Sequence, residues 1–333
     1  MGGFVDAVVE EARRRIDRPV RTLYLGGGTP SMLSPKHLER LFEGLRGVVD
    51  VAGLEEVTLE ANPATFDVAK ARLFRELGVS RVSLGIQSFV PHVLDTLGRE
   101  HTREQAVESV GVLREAGVPQ VNIDLMFSVP GMSNDDWRDT LHQAVACRPD
   151  HVSAYNLTYE EDTAFFEMLR NGKAEIREDV DATMFGEAHE FLTAEGFSHY
   201  ETSNYARPGA GSTHNEGYWR GEDYLGLGPS AVSTRDGIRS RNVADTAAYV
   251  ARVTAQGHAV DESEVLDPEA WRIERVALGL RTEKGLDRAW LDDSGVARAD
   301  ALVSEGLAEW RGGSLVLIGR GRALVDAVAA ELL

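Results

Sequence analysis

Short apolar runs alternate with amphipathic stretches along the first two hundred residues. That rhythm predicts strands alternating with helices. Residues 20–25, 57–60, 81–85, 121–126 and 151–155 read as strands. Helical spacing follows each of them, over 35–47, 66–77, 103–116, 134–146 and 164–171. Gly78 and Gly117 stand where two of these helices end, the position that favours a left-handed residue. Such alternation implies an α/β fold with a parallel sheet, either doubly wound or a barrel. Polar residues gather at the strand ends: Gly26–Thr29 after the first, Glu60 and Asn62 at the second, Gln87 and Ser88 after the third, Asp124 in the fourth. A barrel brings all such ends to one face. A doubly wound sheet uses only the strands beside its switch point. The expected fold is therefore a partial, TIM-like (β/α) barrel.

From about residue 185 to 260 the pattern loosens and aromatics and glycines accumulate, ending in HNEGYWRGEDYLGLGPSAVS at 214–233. Beyond it, Trp271, Ile273, Val276, Leu278 and Leu280 share a helical pattern, and 297–305 carries a second. A short strand pair at 308–310 and 314–318 flanks Gly312-Gly313, and an amphipathic helix is expected over 321–333. Helix, helix, hairpin and closing helix resemble a winged-helix unit. Three regions follow: a part-barrel over 1–205, a connecting segment over 206–262, and a small winged-helix-like domain over 263–333.

Composition narrows the chemistry. The 333 residues include 35 basic and 54 acidic side chains, a formal charge of −19. That disfavours nonspecific nucleic-acid and anionic-membrane binding and leaves the winged-helix-like end without a basic recognition stripe. No apolar run approaches the ~20 residues of a membrane span. The first fifteen residues form an amphipathic pattern without a secretory apolar core, so a cytoplasmic protein is expected. Cys147 is the one cysteine, which excludes an internal disulfide and a multi-cysteine metal site built from this chain alone. It reads as a small packing residue.

The stretch Gly26-Gly27-Gly28-Thr29-Pro30-Ser31 follows the first strand directly. Without side chains in the way, its backbone can approach a ligand; taken alone, it reads equally as a tight strand-to-helix connection. Its company decides. GGGTPS at 26–31, LEANP at 59–63, SLGIQSF at 83–89, LGREHT at 97–102, NIDLMFSVPG at 122–131, HNEGYW at 214–219 and LVSEGLAEW at 302–310 occur in order. Together they resemble the HemN/HemW-like radical S-adenosylmethionine (SAM) proteins over essentially the whole chain. The HN-x-x-YW motif and the short length are similar to the HemW haem-chaperone branch.

The resemblance implies SAM contacts residue by residue. Gly27, Gly28 and Thr29 match the loop that receives the methionyl amino group, and Glu60, Gln87 and Asp124 match the polar residues around ribose and methionine. Arg99 matches the arginine that pairs the SAM carboxylate. An arginine suits a carboxylate, and acids and amides suit an ammonium and hydroxyls. The bland alternatives are a helix-surface ion pair for Arg99 and Glu100, and a backbone-amide partner for Asp124. The family's Cys-x3-Cys-x2-Cys motif, which holds a [4Fe-4S] cluster, lies upstream of GGGTP and is not in this sequence. Two explanations stand: the native protein carries the motif in a segment upstream, which is the expectation, or the chain is a cluster-free homologue. A barrel without its first strand would expose an edge near residues 20–25 and leave Phe4, Val5, Val8 and Val9 poorly covered.

His214, Tyr218 and Trp219 belong to the motif that the family resemblance links to haem. An imidazole can ligate haem iron and aromatics can pack on a porphyrin. The alternative is a structural corner, with His214 and Asn215 bonded to backbone and the aromatics in the core. Where related chains often carry a further histidine, Val232 stands. The implied function is a chaperone that binds haem and hands it to a haem-requiring acceptor. The alternative is an oxygen-independent coproporphyrinogen III dehydrogenase once the cluster segment is present. An unrelated barrel enzyme using Gly26–Gly28 for a phosphate is a third reading.

Overall fold

In the computed structural model, which describes residues 1–333, five parallel strands lie side by side in sequence order. They are β1 (Thr22–Leu25), β2 (Glu56–Ala61), β3 (Arg81–Gln87), β4 (Gln120–Phe127) and β5 (His151–Asn156). Two short antiparallel strands, β6 (Ser198–Glu201) and β7 (Asn204–Ala206), extend the sheet in the order β1-β2-β3-β4-β5-β7-β6. The sheet is open, with β1 as its terminal strand, so the expected edge is present.

Helices α1 (Gly2–Arg15), α2 (Pro35–Arg46), α3 (Val68–Leu77), α4 (Pro91–Thr96), α5 (Arg103–Glu115), α6 (Asn134–Ala146), α7 (Ala164–Arg170) and α8 (Glu178–Ala194) accompany these strands. Local chemistry sets several of their starts. The Asp67 side chain caps α3, and Thr102/Gln105 and Ser133/Asp136 form reciprocal capping boxes on α5 and α6. One apolar cluster of 38 buried residues joins the outer strand face to the helices, with Leu59, Val82, Leu84, Ile123, Phe74 and Trp137 at its centre.

The first helix is not poorly covered. Val5 and Val9 are buried in the main core, and α10 (Thr246–Gln256) packs on α1 through Tyr249 and Val253 beside Ala7. The buried Glu11 carboxylate ties the two segments, accepting from Tyr249 Oη at 2.7 Å and Asn242 Nδ2 at 2.9 Å. The cover comes from residues more than two hundred positions away, which periodicity cannot show.

The loosely patterned middle is also more ordered than its sequence suggested. It contains α8, the helix α9 (Thr213–Trp219), and a three-stranded antiparallel sheet of β8 (Val232–Arg235), β9 (Ile238–Asn242) and β10 (Val260–Val265). The last segment holds α11 (Pro268–Leu280), β11 (Leu286–Asp287), α12 (Asp293–Ser304), β12 (Ala308–Arg311), β13 (Ser314–Leu317) and α13 (Val325–Leu332). It has its own core, built on Val276, Leu280, Leu302, Leu315, Leu317 and Leu332. The closing helix starts later than expected: Gly319–Leu324 form a 3-10 turn, because Gly319 and Gly321 disfavour a regular helical start. No helix is long and apolar enough to cross a membrane.

Candidate functional site

Strand alternation gives each strand two faces. On β2, Val57 and Leu59 pack outward, while Glu56, Thr58 and Glu60 face the opposite way. Arg81 and Ser83 on β3, Asn122 and Asp124 on β4, and His151 and Ser153 on β5 continue that polar face. They line a cavity of about 320 Å³ whose lining is mostly polar.

Six of the seven residues matched to SAM binding line this cavity: Gly28, Thr29, Glu60, Gln87, Arg99 and Asp124. The seventh, Gly27, donates its N–H to Glu60 Oε2 at 3.2 Å. Gly27 has φ of +77°, a conformation that glycine adopts without strain. Gly26 lies so close to the acid that a Cβ there would stand 2.6 Å from the Tyr24 ring and 2.8 Å from Glu60 Oε1. Tyr24 Oη donates to that same Oε1 at 2.8 Å. Burial pushes the Glu60 carboxyl above its usual range, against the lowering effect of these two donors. Gln87 ends β3 in a left-handed conformation, φ +68°, just past a register shift. Strained backbone of this kind concentrates at functional sites.

Asp124 accepts from Ser83 Oγ at 2.9 Å and Asn122 Nδ2 at 2.7 Å, so its partners are side chains and not a backbone amide. Burial raises its pKa, and the hydrogen bonds and Arg99 oppose that rise. Arg99 follows α4 outside any helix and makes no ion pair with Glu100. Its guanidinium has no hydrogen-bond partner in the chain, and burial pushes its pKa down. A half-buried cation with no hydrogen bond or close ion pair, its nearest charge influence being Asp124, faces a cavity that holds two acids.

The HN-x-x-YW segment forms α9 and meets this polar face at the first residues of β1 and β2. Its start is fastened to the buried Glu56 carboxylate, which accepts from Ser212 Oγ at 3.1 Å, Thr213 N at 3.1 Å and His214 N at 3.2 Å. Thr58 Oγ1 and Arg81 Nε donate to the same carboxylate at 3.1 and 3.0 Å. Both His214 ring nitrogens are engaged, Nδ1 with Thr22 Oγ1 at 2.8 Å and Nε2 with Tyr218 Oη at 3.0 Å. The imidazole also stacks on Tyr24, and burial lowers its pKa. Tyr218 packs edge-on against Tyr224, with centroids 4.8 Å apart. Trp219 lies under the Arg281 guanidinium, with its Nε1 buried and unpartnered. Asn215 lines the cavity, and its carboxamide makes no hydrogen bond. His214 is thus bonded to side chains, not to backbone. Val232 opens β8, half-buried.

Sequence reading did not single out several residues of the cavity wall, among them Tyr24, Thr58, Arg81, Asn122, His151 and Ser153. The signal was present. Polar residues recur two apart within otherwise apolar strands, as in Glu56/Thr58/Glu60 and Asn122/Asp124, which marks a polar inner face. Cys147 caps α6 and packs beside the main core, and burial raises its thiol pKa. No group of three or more His, Cys, Asp or Glu side chains is placed to hold a metal ion. The residues present therefore do not make an iron–sulfur site.

The profile of the radical SAM superfamily matches residues 4–144. The heme chaperone HemW of Mycobacterium tuberculosis is 38% identical over 329 residues, covering 98% of this chain and 84% of that protein. HemW of Lactococcus lactis is 34% identical over 85% of this chain and 74% of its own length. Among solved structures, coproporphyrinogen III oxidase (HemN) of Escherichia coli superposes with a TM-score of 0.82 over 99% of this chain and 82% of that one, at 23% identity, a likeness of fold. The chain is therefore a radical SAM protein. Within that superfamily it belongs to the HemW family.

Proposed function

We propose that the chain binds SAM in the part-barrel cavity and acts as a haem chaperone, binding haem and passing it to a haem-requiring acceptor. The observation that carries the SAM reading is Arg99, a partnerless guanidinium facing Glu60 and Asp124. The Glu56–Arg81 pair beneath is internally neutral, so the cavity presents two acids against one free cation. SAM is its complement, with one carboxylate, one ammonium and one sulfonium. Arg99 takes the carboxylate, Glu60 and Asp124 take the cationic and hydroxyl groups, and Gly27, Gly28 and Thr29 offer backbone and hydroxyl contacts. When bound, SAM supplies an activated carbon–sulfur bond. The chain's own residues orient it and screen it from water.

The haem role rests on the kinship with proteins named heme chaperone HemW. His214, Tyr218 and Trp219 are the proposed haem contacts. Ligation of iron by His214 requires one ring nitrogen to leave Thr22 or Tyr218. Two titrations test the proposal. SAM binding, followed by calorimetry, should weaken on the order of a hundredfold in Arg99→Ala, the loss expected for a charge-assisted pair. Haem added to the purified chain should give a saturable Soret shift that changes in His214→Ala. No SAM binding by the wild-type chain would sink the first half, and an unsaturable Soret response the second.

A further inference from the structure

We propose that Tyr24 is a positioning residue that couples occupancy of the cavity to the state of the His214 imidazole. This rests on the SAM reading above. One side chain makes both contacts: its hydroxyl donates to Glu60 Oε1 at 2.8 Å, and its ring stacks on His214 with centroids 5.0 Å apart and planes 25° apart. The Gly26 backbone closes the loop side of the ring, where even a Cβ would collide with it. Thr22, two residues back on the same strand face, holds His214 Nδ1 at 2.8 Å. From His214 the contacts run on to Tyr218 and Tyr224. The cavity's acid and the motif's imidazole therefore share one rigid lever.

The physical consequence is linkage. A cationic ligand draws on the Glu60 oxygens, and the phenol either follows the oxygen it donates to or loses it. Following the oxygen moves the ring against the imidazole; losing the bond leaves the ring where it is and breaks the link. Coupling of this kind is reciprocal, so the packing of His214 must also bear on ligand affinity. Without a differential contact in the two states no such effect exists, and the Tyr24–Glu60 bond is that contact.

The test uses the full chain with isotope-labelled histidine, the His214 ring signals being assigned with His214→Gln. SAM is titrated in while those signals and calorimetric binding are followed together. In the wild type the His214 signals should move with the midpoint of SAM binding. Tyr24→Phe keeps the ring on His214 and removes only the hydrogen bond. It should bind SAM about 3- to 10-fold more weakly, the scale of one ordinary net hydrogen bond, and its His214 signals should no longer follow. A purely packing role for Tyr24 predicts an intact response in this variant. Glu60→Gln, which removes the charge the ligand draws on, should uncouple the signals too. Wild-type SAM binding with unmoved His214 signals, or a full response in either variant, would overturn the inference. Absence of SAM binding in the wild type overturns the SAM reading itself, and the inference with it.

Discussion

The cavity around Arg99 and the corner around Glu56 are built from the same strand faces and the same residue types, yet their key groups are paired to different extents, although Arg81 Nη1 and Trp219 Nε1 in the corner are also buried without a partner. In the corner, Glu56 collects five donors and His214 satisfies both ring nitrogens. In the cavity, Arg99 and the Asn215 carboxamide have no partner, and Glu60 and Asp124 are held above their ordinary pKa by burial. A buried polar group left unpaired destabilises a fold, whereas a fully bonded one is close to neutral and rigidifies it. The difference separates groups that hold the fold from groups that await a ligand. Residue type and burial alone would not make that separation.

The largest expected effect comes from breaking the satisfied side. Glu56→Ala leaves the buried Arg81 charge with only the Ala210 and Gly211 carbonyls and frees the start of α9, and should cost about 3–5 kcal/mol in chemical denaturation, the range for losing one partner of a buried pair. A loss under about 1 kcal/mol, the scale of a single net hydrogen bond, would show that the corner is not a fastening. The second test acts on the unsatisfied side. Glu60 and Asp124 have raised pKa values, so the free protein binds extra protons there, and this stabilisation is lost as pH rises through the shifted range. A cationic ligand favours their ionised forms. SAM affinity should therefore fall as pH drops through that range, and binding should release protons, read as a dependence of calorimetric heat on the buffer's ionisation enthalpy. Heats independent of buffer would remove these acids from the site. The smallest effect sharpens the contrast: Asn215→Ala breaks no bond within the chain, so its melting temperature should match the wild type. A clear drop would move Asn215 to the structural side.

The strands and helices of the first half were legible because each alternates or repeats locally. The predicted helix 134–146 coincides with α6, and the other early elements differ from the observed ones by a few residues at most. The polar groups at strand ends were legible for the same reason, since Glu60, Gln87 and Asp124 interrupt apolar runs. The cover on α1 was not legible, because Tyr249 and Val253 reach it from a different part of the chain. Nor was the engagement of His214, whose partners Thr22 and Tyr24 lie 190 or so residues earlier.

The sequence by itself determined the alternation of elements, the acidity of the chain, its single cysteine and the motifs that mark its family, because each is a local or additive property. Only the tertiary structure decided which polar residues are paired. Pairing depends on strand register and on the docking of α9 against β1 and β2, contacts between segments whose separation along the chain carries no local signal. That is why Arg81, at the start of β3, could become a partner and Arg99, in the segment after α4, a cation with no ion pair.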